Sequence, residues 1–219
     1  MRTSPTYEEQ RRQLQQEISG QAPAELVDGF TSATARLDAR DFASRAPQVG
    51  SEAPDFALPA QNGQSVRLSA LLRDGPVVLI FYRGEWCPYC NLQLRTFQAH
   101  LDELEEHGAQ LVAVSPQEPD HSLSMAEKNE LGFLVLSDVG ATVLESYGLK
   151  YEVDAELRRL LASVGNDLAA YNGETGWTLP APATFVIDQC GEVRYAHVRG
   201  DWTERAEPSN VLTILAELG

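Results

Sequence analysis

Two of the three cysteines in this chain lie close together in the stretch RGEWCPYCN, residues 83–91. Cys87 and Cys90 flank a Pro-Tyr pair, after the apolar run PVVLIFY and before a segment with helical spacing. A separation of three residues places both sulfurs on one face near the helix N-terminus. Unpaired amides and the helix dipole stabilise a thiolate there, and Pro88 suits the first turn because it lacks an N–H. The pattern predicts a reactive dithiol.

A helix end alone does not activate a thiol sufficiently. Lowering a thiol pKa from about 8.5 to about 6.5 takes roughly 2.7 kcal/mol, whereas a helix end supplies about 0.3 to 1 kcal/mol. The S–H of the second cysteine must therefore help as a hydrogen-bond donor. Glu85 and the acidic net charge disfavour a thiolate and therefore raise the thiol pKa.

Metal binding and haem attachment fit the cysteine pair less well than redox chemistry. A structural zinc site normally needs four ligands, and the sequence has no second paired spacing of ligand residues. Haem attachment would need a histidine where Asn91 follows the pair. Cys190, in the turn DQCGE, is interpreted as a turn-position thiol. We therefore expect a redox site without a metal or a cofactor.

Composition and charge narrow the classes of partner. The chain has 219 residues, of which 43% are hydrophobic, and a formal net charge of −15. Binding to nucleic acid or to an anionic membrane surface needs clustered Lys and Arg, so we expect neither partner. The N-terminus lacks a signal-peptide pattern and no apolar run approaches about 18 residues, which predicts a cytoplasmic protein. In a reducing compartment a close cysteine pair is more often catalytic or metal-binding than structural.

Strand and helix signals alternate around the dithiol. Strands separated by helices imply an α/β fold with a central, mostly parallel mixed sheet flanked by helices. The predicted order is a strand at PVVLIFY, a helix at 88–107, a strand at AQLVAVS, a helix at 119–131, a strand at FLVLS, a hairpin of ATFVID and EVRYAHV, and a helix at 208–218.

The N-terminal part precedes this body as a separate helical segment. Helical spacing at 5–19 and 23–38, broken at SGQAPAE, predicts a helical hairpin. We assign it to an N-terminal extension of residues 1–46, ahead of a domain at 47–219. The hairpin packs either on its own domain or on a second subunit, so a homodimer is compatible with the sequence.

A second elaboration lies before the hairpin, at about 148–180. A short helix is predicted near 140–147 and an amphipathic helix near 153–164, followed by the loop NDLAAYNGETGWTLPAP. Long loops often serve as lids or binding loops. The insertion is thus either a surface elaboration or a lid, in which Trp177 would cover the dithiol.

An ordered series of motifs resembles a known family. The segments SEAPDFAL, VVLIFYRGEWCPYC, LVAVSPQ, FLVLSD and PATFVIDQCGEV resemble the thioredoxin-fold superfamily, and within it the peroxiredoxin-like branch of the alkyl hydroperoxide reductase C/thiol-specific antioxidant (AhpC/TSA) family. The resemblance covers roughly residues 47–218 and is far more specific than C-x-x-C alone. It implies a thioredoxin-like fold in which Pro182 is a cis-proline facing the dithiol.

The chain departs from typical peroxiredoxins at three positions, two of them within the pattern P-x-x-x-T-x-x-C. Cys90 takes the place of the peroxidatic cysteine, while Cys87 replaces a threonine that hydrogen-bonds peroxide. Arg83 replaces a proline that shields the sulfur. The arginine that the family keeps before ATFVID aligns with Pro182, so Arg83 or Arg199 would have to supply its charge. By resemblance, the residues that shape the site are Arg83, Trp86, Pro88, Tyr89, Pro182 and Thr184.

The resemblance implies a thiol-dependent peroxidase that reduces hydrogen peroxide or organic hydroperoxides through a Cys87/Cys90 dithiol-disulfide cycle. Thioredoxin, glutaredoxin or glutathione would reopen the disulfide. The family alignment assigns the attack to Cys90, whereas thioredoxin chemistry favours Cys87. Two alternatives stay open: a thioredoxin-like protein disulfide reductase, and a redox-sensing module with slow turnover. Against the reductase, Phe81 stands where thioredoxins keep a buried aspartate.

Overall fold

A five-stranded sheet forms the centre of the fold in the computed structural model, which describes residues 5–219. Its strands are β3 (Val77–Phe81), β4 (Gln110–Ser115), β5 (Leu134–Ser137), β8 (Ala183–Ile187) and β9 (Val193–Val198), in the order β5-β4-β3-β8-β9. β3, β4 and β5 pair in parallel, whereas β8 pairs antiparallel with both β3 and β9. Four strands therefore run one way and β8 runs against them, which confirms the predicted mixed sheet and hairpin.

Strand β3 is buried along its whole length, as expected for a central strand covered on both faces. Val77, Leu79 and Phe81 belong to one hydrophobic cluster, while Val78 and Ile80 belong to another. This alternation follows from the two-residue period of a strand. The sheet thus separates two cores, and the dithiol belongs to the second of them.

Helices cover both cores. The helices are α1 (Tyr7–Gln21), α2 (Ala24–Asp38), α3 (Leu68–Leu71), α4 (Pro88–Gln98), α5 (Leu101–Glu106), α6 (Pro119–Lys128), α7 (Thr142–Ser146), α8 (Ala155–Ser163), α9 (Leu168–Asn172) and α10 (Pro208–Leu218). The first core is closed by residues of α2, α7, α8 and α9, and the second by residues of α4, α5, α6 and α10. Two small antiparallel sheets pair β1 (Ala57–Pro59) with β2 (Ser65–Arg67), and β6 (Lys150–Glu152) with β7 (Thr178–Pro180).

The predicted helix over 88–107 is two helices rather than one. His100 has φ −112° and ψ 13°, which is outside the helical region, so α4 and α5 are separate elements. After this break both Leu101 and Leu104 are buried in the second core. The change of direction therefore lets α5 contribute apolar contacts.

The segment predicted as an irregular loop after α8 is mostly structured. Asp167 accepts a hydrogen bond from the Ala169 amide and begins α9, whose Leu168 is fully buried. A short 3₁₀ turn (Gly173–Thr175) follows, and the chain then enters β7. Capping and burial, which the polar composition obscures, account for this difference.

The N-terminal hairpin is helical, as predicted, and packs against the rest of its own chain; residues 1–4 of the proposed extension lie outside the described part. The α1 helix begins with a capping box in which Thr6 and Glu9 exchange hydrogen bonds. The Tyr7 hydroxyl donates to the Thr203 carbonyl at 2.7 Å. On α2, Ala33 and Leu37 are buried in the first core. Residues of both helices also line a cavity that Cys87 borders.

Over residues 5–219, none of the helices combines the length and the apolar character needed to cross a membrane.

Candidate active site

The dithiol lies where β3 turns into α4. Cys87 is the residue before the helix, with φ −89° and ψ 114°, and Pro88 begins the first turn. The Cys90 amide donates to the Cys87 carbonyl at 3.1 Å, which fixes the two residues in one turn. Both cysteines are unpaired thiols, and their exposed fractions are 1% for Cys87 and 0% for Cys90. The predicted position at the helix N-terminus is therefore found.

Two donors contact the Cys90 sulfur. The Arg83 amide lies 3.4 Å from it, and Nη2 of Arg205 lies 3.6 Å from it. The neighbouring Cys87 thiol also lowers the pKa of Cys90. A sulfur that accepts from a backbone amide and a guanidinium is favoured as a thiolate.

These contacts give the two thiols different pKa values. Burial by itself raises the pKa of Cys90, but the hydrogen bond from Cys87 and the charges of Arg205 and Arg83 outweigh it and lower the pKa to about 5. For Cys87, burial, the hydrogen bond to Cys90 and the negative charge there all raise the pKa. At neutral pH, Cys90 is therefore the thiolate and Cys87 the neutral thiol.

The Arg205 guanidinium contacts the Cys90 sulfur, and the sequence did not point to this residue. Its side chain is buried, with Nε donating to Gln93 Oε1 at 2.8 Å and Nη1 donating to the Glu204 carbonyl at 2.8 Å. Gln93 in turn donates to the hydroxyl of Thr184 at 3.3 Å. Thr184 thus shapes the site indirectly, by orienting the amide that holds Arg205.

Arg83 lies beside the sulfurs, as the sequence suggested, whereas Arg199 does not. The Arg83 side chain is 2% exposed and stacks between two indoles, with its guanidinium carbon 4.9 Å from the Trp86 ring centre and 4.5 Å from that of Trp202. Within residues 5–219, Nε and Nη2 of Arg83 have no hydrogen-bond partner. Arg199 is exposed and pairs with Glu204 at 3.3 Å.

A network of amide side chains holds the loop before Cys87. Gln117 accepts from the Glu85 amide at 2.6 Å. Asn91 donates to the carbonyl oxygens of Glu85 at 2.7 Å and Cys87 at 2.9 Å, and accepts from Asn129 at 2.9 Å. These buried amides hydrogen-bond the backbone on both sides of Trp86, at Glu85 and Cys87, so they fix the position of Cys87. Their wide separation along the chain explains why the motif alone did not reveal them.

The prediction that Pro182 is a cis-proline is wrong for this structure. No peptide bond is cis within the described residues, and Pro182 continues the extended path from β7 into β8. Hydrogen bonds on either side hold this path: Ala181 donates to Leu149 at 2.9 Å, and Arg199 donates to Pro182 at 3.2 Å. The trans form, which X-Pro bonds favour by about 0.5 to 1 kcal/mol, suits this continuous pairing.

A cavity of about 950 Å³ opens onto the dithiol. Trp86, Cys87, Pro88 and Tyr89 form its floor, and the N-terminal helices α1 and α2 form its opposite wall. Trp177, the predicted lid, is not among the lining residues. It packs on the first core under the Arg158 guanidinium, 5.3 Å from the ring centre. The cover of the site therefore comes from the N-terminal hairpin.

Comparison with known proteins places the chain in a family. Residues 49–196, about two thirds of the chain, match the AhpC/TSA family. Peroxiredoxin Q of Triticum aestivum is 30% identical over 148 residues, which are 68% of this chain and 58% of that protein. Peroxiredoxin Bcp of Escherichia coli is 32% identical over 102 residues, 47% of this chain and 65% of that protein. The chain thus spans 58% and 65% of the lengths of these two relatives.

Solved structures agree with this match. The peroxidoxin BcpB of Mycobacterium tuberculosis superposes with a TM-score of 0.62 at 28% identity, covering 79% of this chain and 99% of that one. A peroxiredoxin-like protein of Aquifex aeolicus superposes with a TM-score of 0.63 at 22% identity, covering 80% and 89%, which supports the fold. With a thioredoxin-like fold and a match over residues 49–196, this chain belongs to the AhpC/TSA family.

Proposed function

We propose that this protein is a thiol-dependent peroxidase in which Cys90 attacks hydrogen peroxide or a small organic hydroperoxide. The observation that carries the proposal is the Cys90 sulfur, which accepts hydrogen bonds from the Arg83 amide and from Arg205. A thiolate is the nucleophilic form of cysteine. The relatives named peroxiredoxin support the same reaction.

The proposed cycle begins at the O–O bond of the peroxide. The Cys90 thiolate attacks one oxygen, the O–O bond breaks, and the leaving oxygen takes a proton and departs as water or an alcohol. Arg205 and Arg83 stabilise the negative charge that develops on the leaving oxygen. Cys90 is then a sulfenic acid.

Cys87 completes the oxidative half of the cycle. Its sulfur attacks the sulfenic sulfur of Cys90, forming the Cys87–Cys90 disulfide and releasing water. Because Cys87 is one helical turn from Cys90, this condensation needs no distant second cysteine. An external thiol system, such as thioredoxin, glutaredoxin or glutathione, then reopens the disulfide.

Serine variants test this assignment. Cys87→Ser is expected to consume one equivalent of peroxide and to hold Cys90 as a sulfenic acid that dimedone traps. Cys90→Ser is expected to lose rapid peroxide consumption and trapping. Mass spectrometry of the peptide spanning both positions distinguishes the two. Trapping at position 87 in Cys90→Ser at the wild-type rate would instead make Cys87 the attacking residue.

The disulfide reductase alternative has one observation in its favour, since Cys87 borders the cavity and Cys90 does not. Its weakness is that the pKa of Cys87 is raised by burial and by Cys90, so the accessible sulfur is a poor nucleophile. Rapid reduction of insulin disulfides, without peroxide consumption by the reduced protein, would favour the reductase.

The remaining sequence predictions complete the proposal. We propose an extension at 1–46 before a peroxiredoxin domain at 47–219, with an insertion at about 148–180. We also propose a cytoplasmic location, because two closely spaced free thiols stay reduced in such a compartment. A homodimer is proposed as well, and sedimentation would test it.

A further inference from the structure

The cavity beside Cys87 indicates what kind of molecule reduces the Cys87–Cys90 disulfide. Resting on the proposed peroxidase cycle, we propose that the Cys87–Cys90 disulfide is reopened by a small thiol carrying a carboxylate, which enters the cavity beneath the N-terminal hairpin. Four features support this proposal: the origin of the cavity walls, its size, its charge and the sulfur that it reaches.

The wall opposite the dithiol comes from outside the segment that matches the family. The match begins at residue 49, whereas α1 and α2 end at residues 21 and 38. Apolar side chains of these helices, including Ile18, Val27 and Phe30, line the cavity. The hairpin is held over the site because Glu207 accepts from the first amides of α1, at 2.9 Å and 2.8 Å.

The size of the cavity suits a small molecule rather than a folded partner. Its volume of about 950 Å³ lies at the upper end of the range of about 300–1,000 Å³ that small-molecule pockets occupy. Hydrogen peroxide alone fills only a small part of such a space. A protein thiol would have to bring its own sulfur to about 2 Å from that of Cys87, which is 1% exposed beneath the hairpin.

The charge of the cavity is opposite to that of the whole protein. Two arginines and one aspartate line it, Arg12, Arg83 and Asp201, which gives a formal charge of +1 in a chain of formal charge −15. Arg12 forms an ion pair with Glu8 at 2.9 Å. Arg83 also lines the cavity and has no acidic partner within residues 5–219. A carboxylate pairs favourably with a guanidinium.

The cavity reaches the sulfur at which reduction proceeds best. Attack of a thiolate RS⁻ on the Cys87 sulfur forms an RS–Cys87 bond, breaks the bond to Cys90 and leaves the electron pair on Cys90. Thiols of lower pKa leave faster, so Cys90 is the better leaving group. A second RS⁻ attacks the external sulfur, forms RSSR and releases Cys87, which takes a proton. Two thiolates thus supply the two electrons.

The charge of the reducing thiol tests this proposal. The disulfide is formed with one equivalent of peroxide, or with diamide, and its reduction by 3-mercaptopropionate, 2-mercaptoethanol and cysteamine is followed at equal thiolate concentrations. The net charge of −15 by itself favours the cationic cysteamine. The cavity predicts the opposite order. Reduction by 3-mercaptopropionate should be about tenfold faster than reduction by cysteamine, and the ratio of the two rates should fall in high salt.

A pair of variants on α2 tests the route. Thr34 lines the cavity and Ser32 is an exposed residue of the same helix outside it. Thr34→Trp is expected to slow reduction by 3-mercaptopropionate about tenfold or more, while Ser32→Trp leaves the rate unchanged. Circular dichroism of both variants, together with their rate of disulfide formation by peroxide, separates a blocked cavity from a disturbed fold.

The outcomes of these experiments separate the proposed reductant from the proposed peroxidase function. An anionic preference that Thr34→Trp weakens supports the proposal. Faster reduction by cysteamine, an unchanged rate in a folded Thr34→Trp, or reduction by thioredoxin at concentrations where the acid thiol is inert would overturn it. Failure of peroxide to form the disulfide would contradict the peroxidase function instead, because the diamide-formed disulfide still reports on the reductant.

Discussion

At the scale of residues, the site replaces a hydroxyl by a second thiol. Where typical peroxiredoxins keep a threonine, this chain has Cys87, whose thiol lowers the pKa of Cys90. The same atom is positioned to condense with the oxidised Cys90. This double role follows from the three-residue spacing, which the sequence displays directly.

The pH dependence of peroxide reduction tests the ionisation of Cys90. Because the pKa of Cys90 is lowered to about 5, the thiolate fraction is nearly complete above pH 6 and falls as pH drops through 5. We expect the rate constant for peroxide consumption to be constant from pH 6 to 8 and to reach half its value near pH 5. A rate that rises steadily from pH 7 to 9 would indicate an ordinary thiol.

Arg205 is expected to be responsible for a large part of that low pKa. In Arg205→Met the Cys90 pKa should rise, so the pH profile moves to higher pH. The rate at neutral pH should then fall about 2- to 10-fold, because a smaller fraction of Cys90 is thiolate. Arg205→Lys should recover part of the loss. Arg199→Met is the matched control, since Arg199 is exposed and pairs with Glu204.

The two cysteines could be predicted from the sequence, whereas Arg205 could not, because its contact with Cys90 joins residues that are distant in sequence. Cys87 and Cys90 act through a local spacing that a helix enforces. Arg205 lies 115 residues beyond Cys90 and reaches it only because the chain folds back after β9. Its surroundings, TERAEP, resemble any polar surface loop. Its partner Gln93 is a polar residue of α4 that nothing in the pattern marked as buried.

At the scale of elements, the strands were predictable and the helix ends were not. The buried runs that became β3, β4 and β5 have a composition typical of covered parallel strands. The break at His100 and the short helix α9 depend on local backbone angles and caps that the apolar spacing does not encode. The position of the N-terminal hairpin depends on contacts with residues 203–207, which are distant in sequence.

The Glu207 carboxylate is expected to hold α1 in place, so its removal should loosen this helix. Glu207→Ala removes the acceptor of the Tyr7 and Glu8 amides, and loss of such a cap costs about 1 kcal/mol. Hydrogen exchange of the α1 amides should then accelerate about fivefold. Glu204→Ala, which removes an exposed ion pair, should leave that exchange unchanged. Equal exchange in both variants would mean that Glu207 does not hold the hairpin.

The lowered pKa of His197, on β9, should make the stability of the protein depend on pH. Burial, reinforced by the charges of Arg199 and Arg205, lowers its pKa to about 4. The unfolded chain takes up this proton near pH 6.5, whereas the folded chain does not until about pH 4. The free energy of unfolding should therefore fall between pH 6.5 and 4, by up to about 1.4 kcal/mol for each pH unit. His197→Gln should reduce this acid slope in urea titrations, and an unchanged slope would contradict it.

At the scale of the whole molecule, two features of the site come from outside the family match. Residues 49–196 include the dithiol, Arg83 and all of the sheet except the last two residues of β9. The N-terminal hairpin and Arg205 lie on either side of that segment and meet over the cysteines. The family match therefore includes the two cysteines that we propose to be reactive, while segments outside it supply the guanidinium at Cys90 and the cover over Cys87.

The most direct test of the peroxidase function is the rate at which the reduced protein consumes one equivalent of hydrogen peroxide, measured by stopped flow with thiol counting. Cys190, an exposed thiol with no such surroundings, is an internal reference. We predict rapid consumption with loss of Cys87 and Cys90 as one disulfide while Cys190 stays reduced. Slow consumption at the rate of a free thiol, or oxidation of Cys190 alongside the pair, would contradict the peroxidase function.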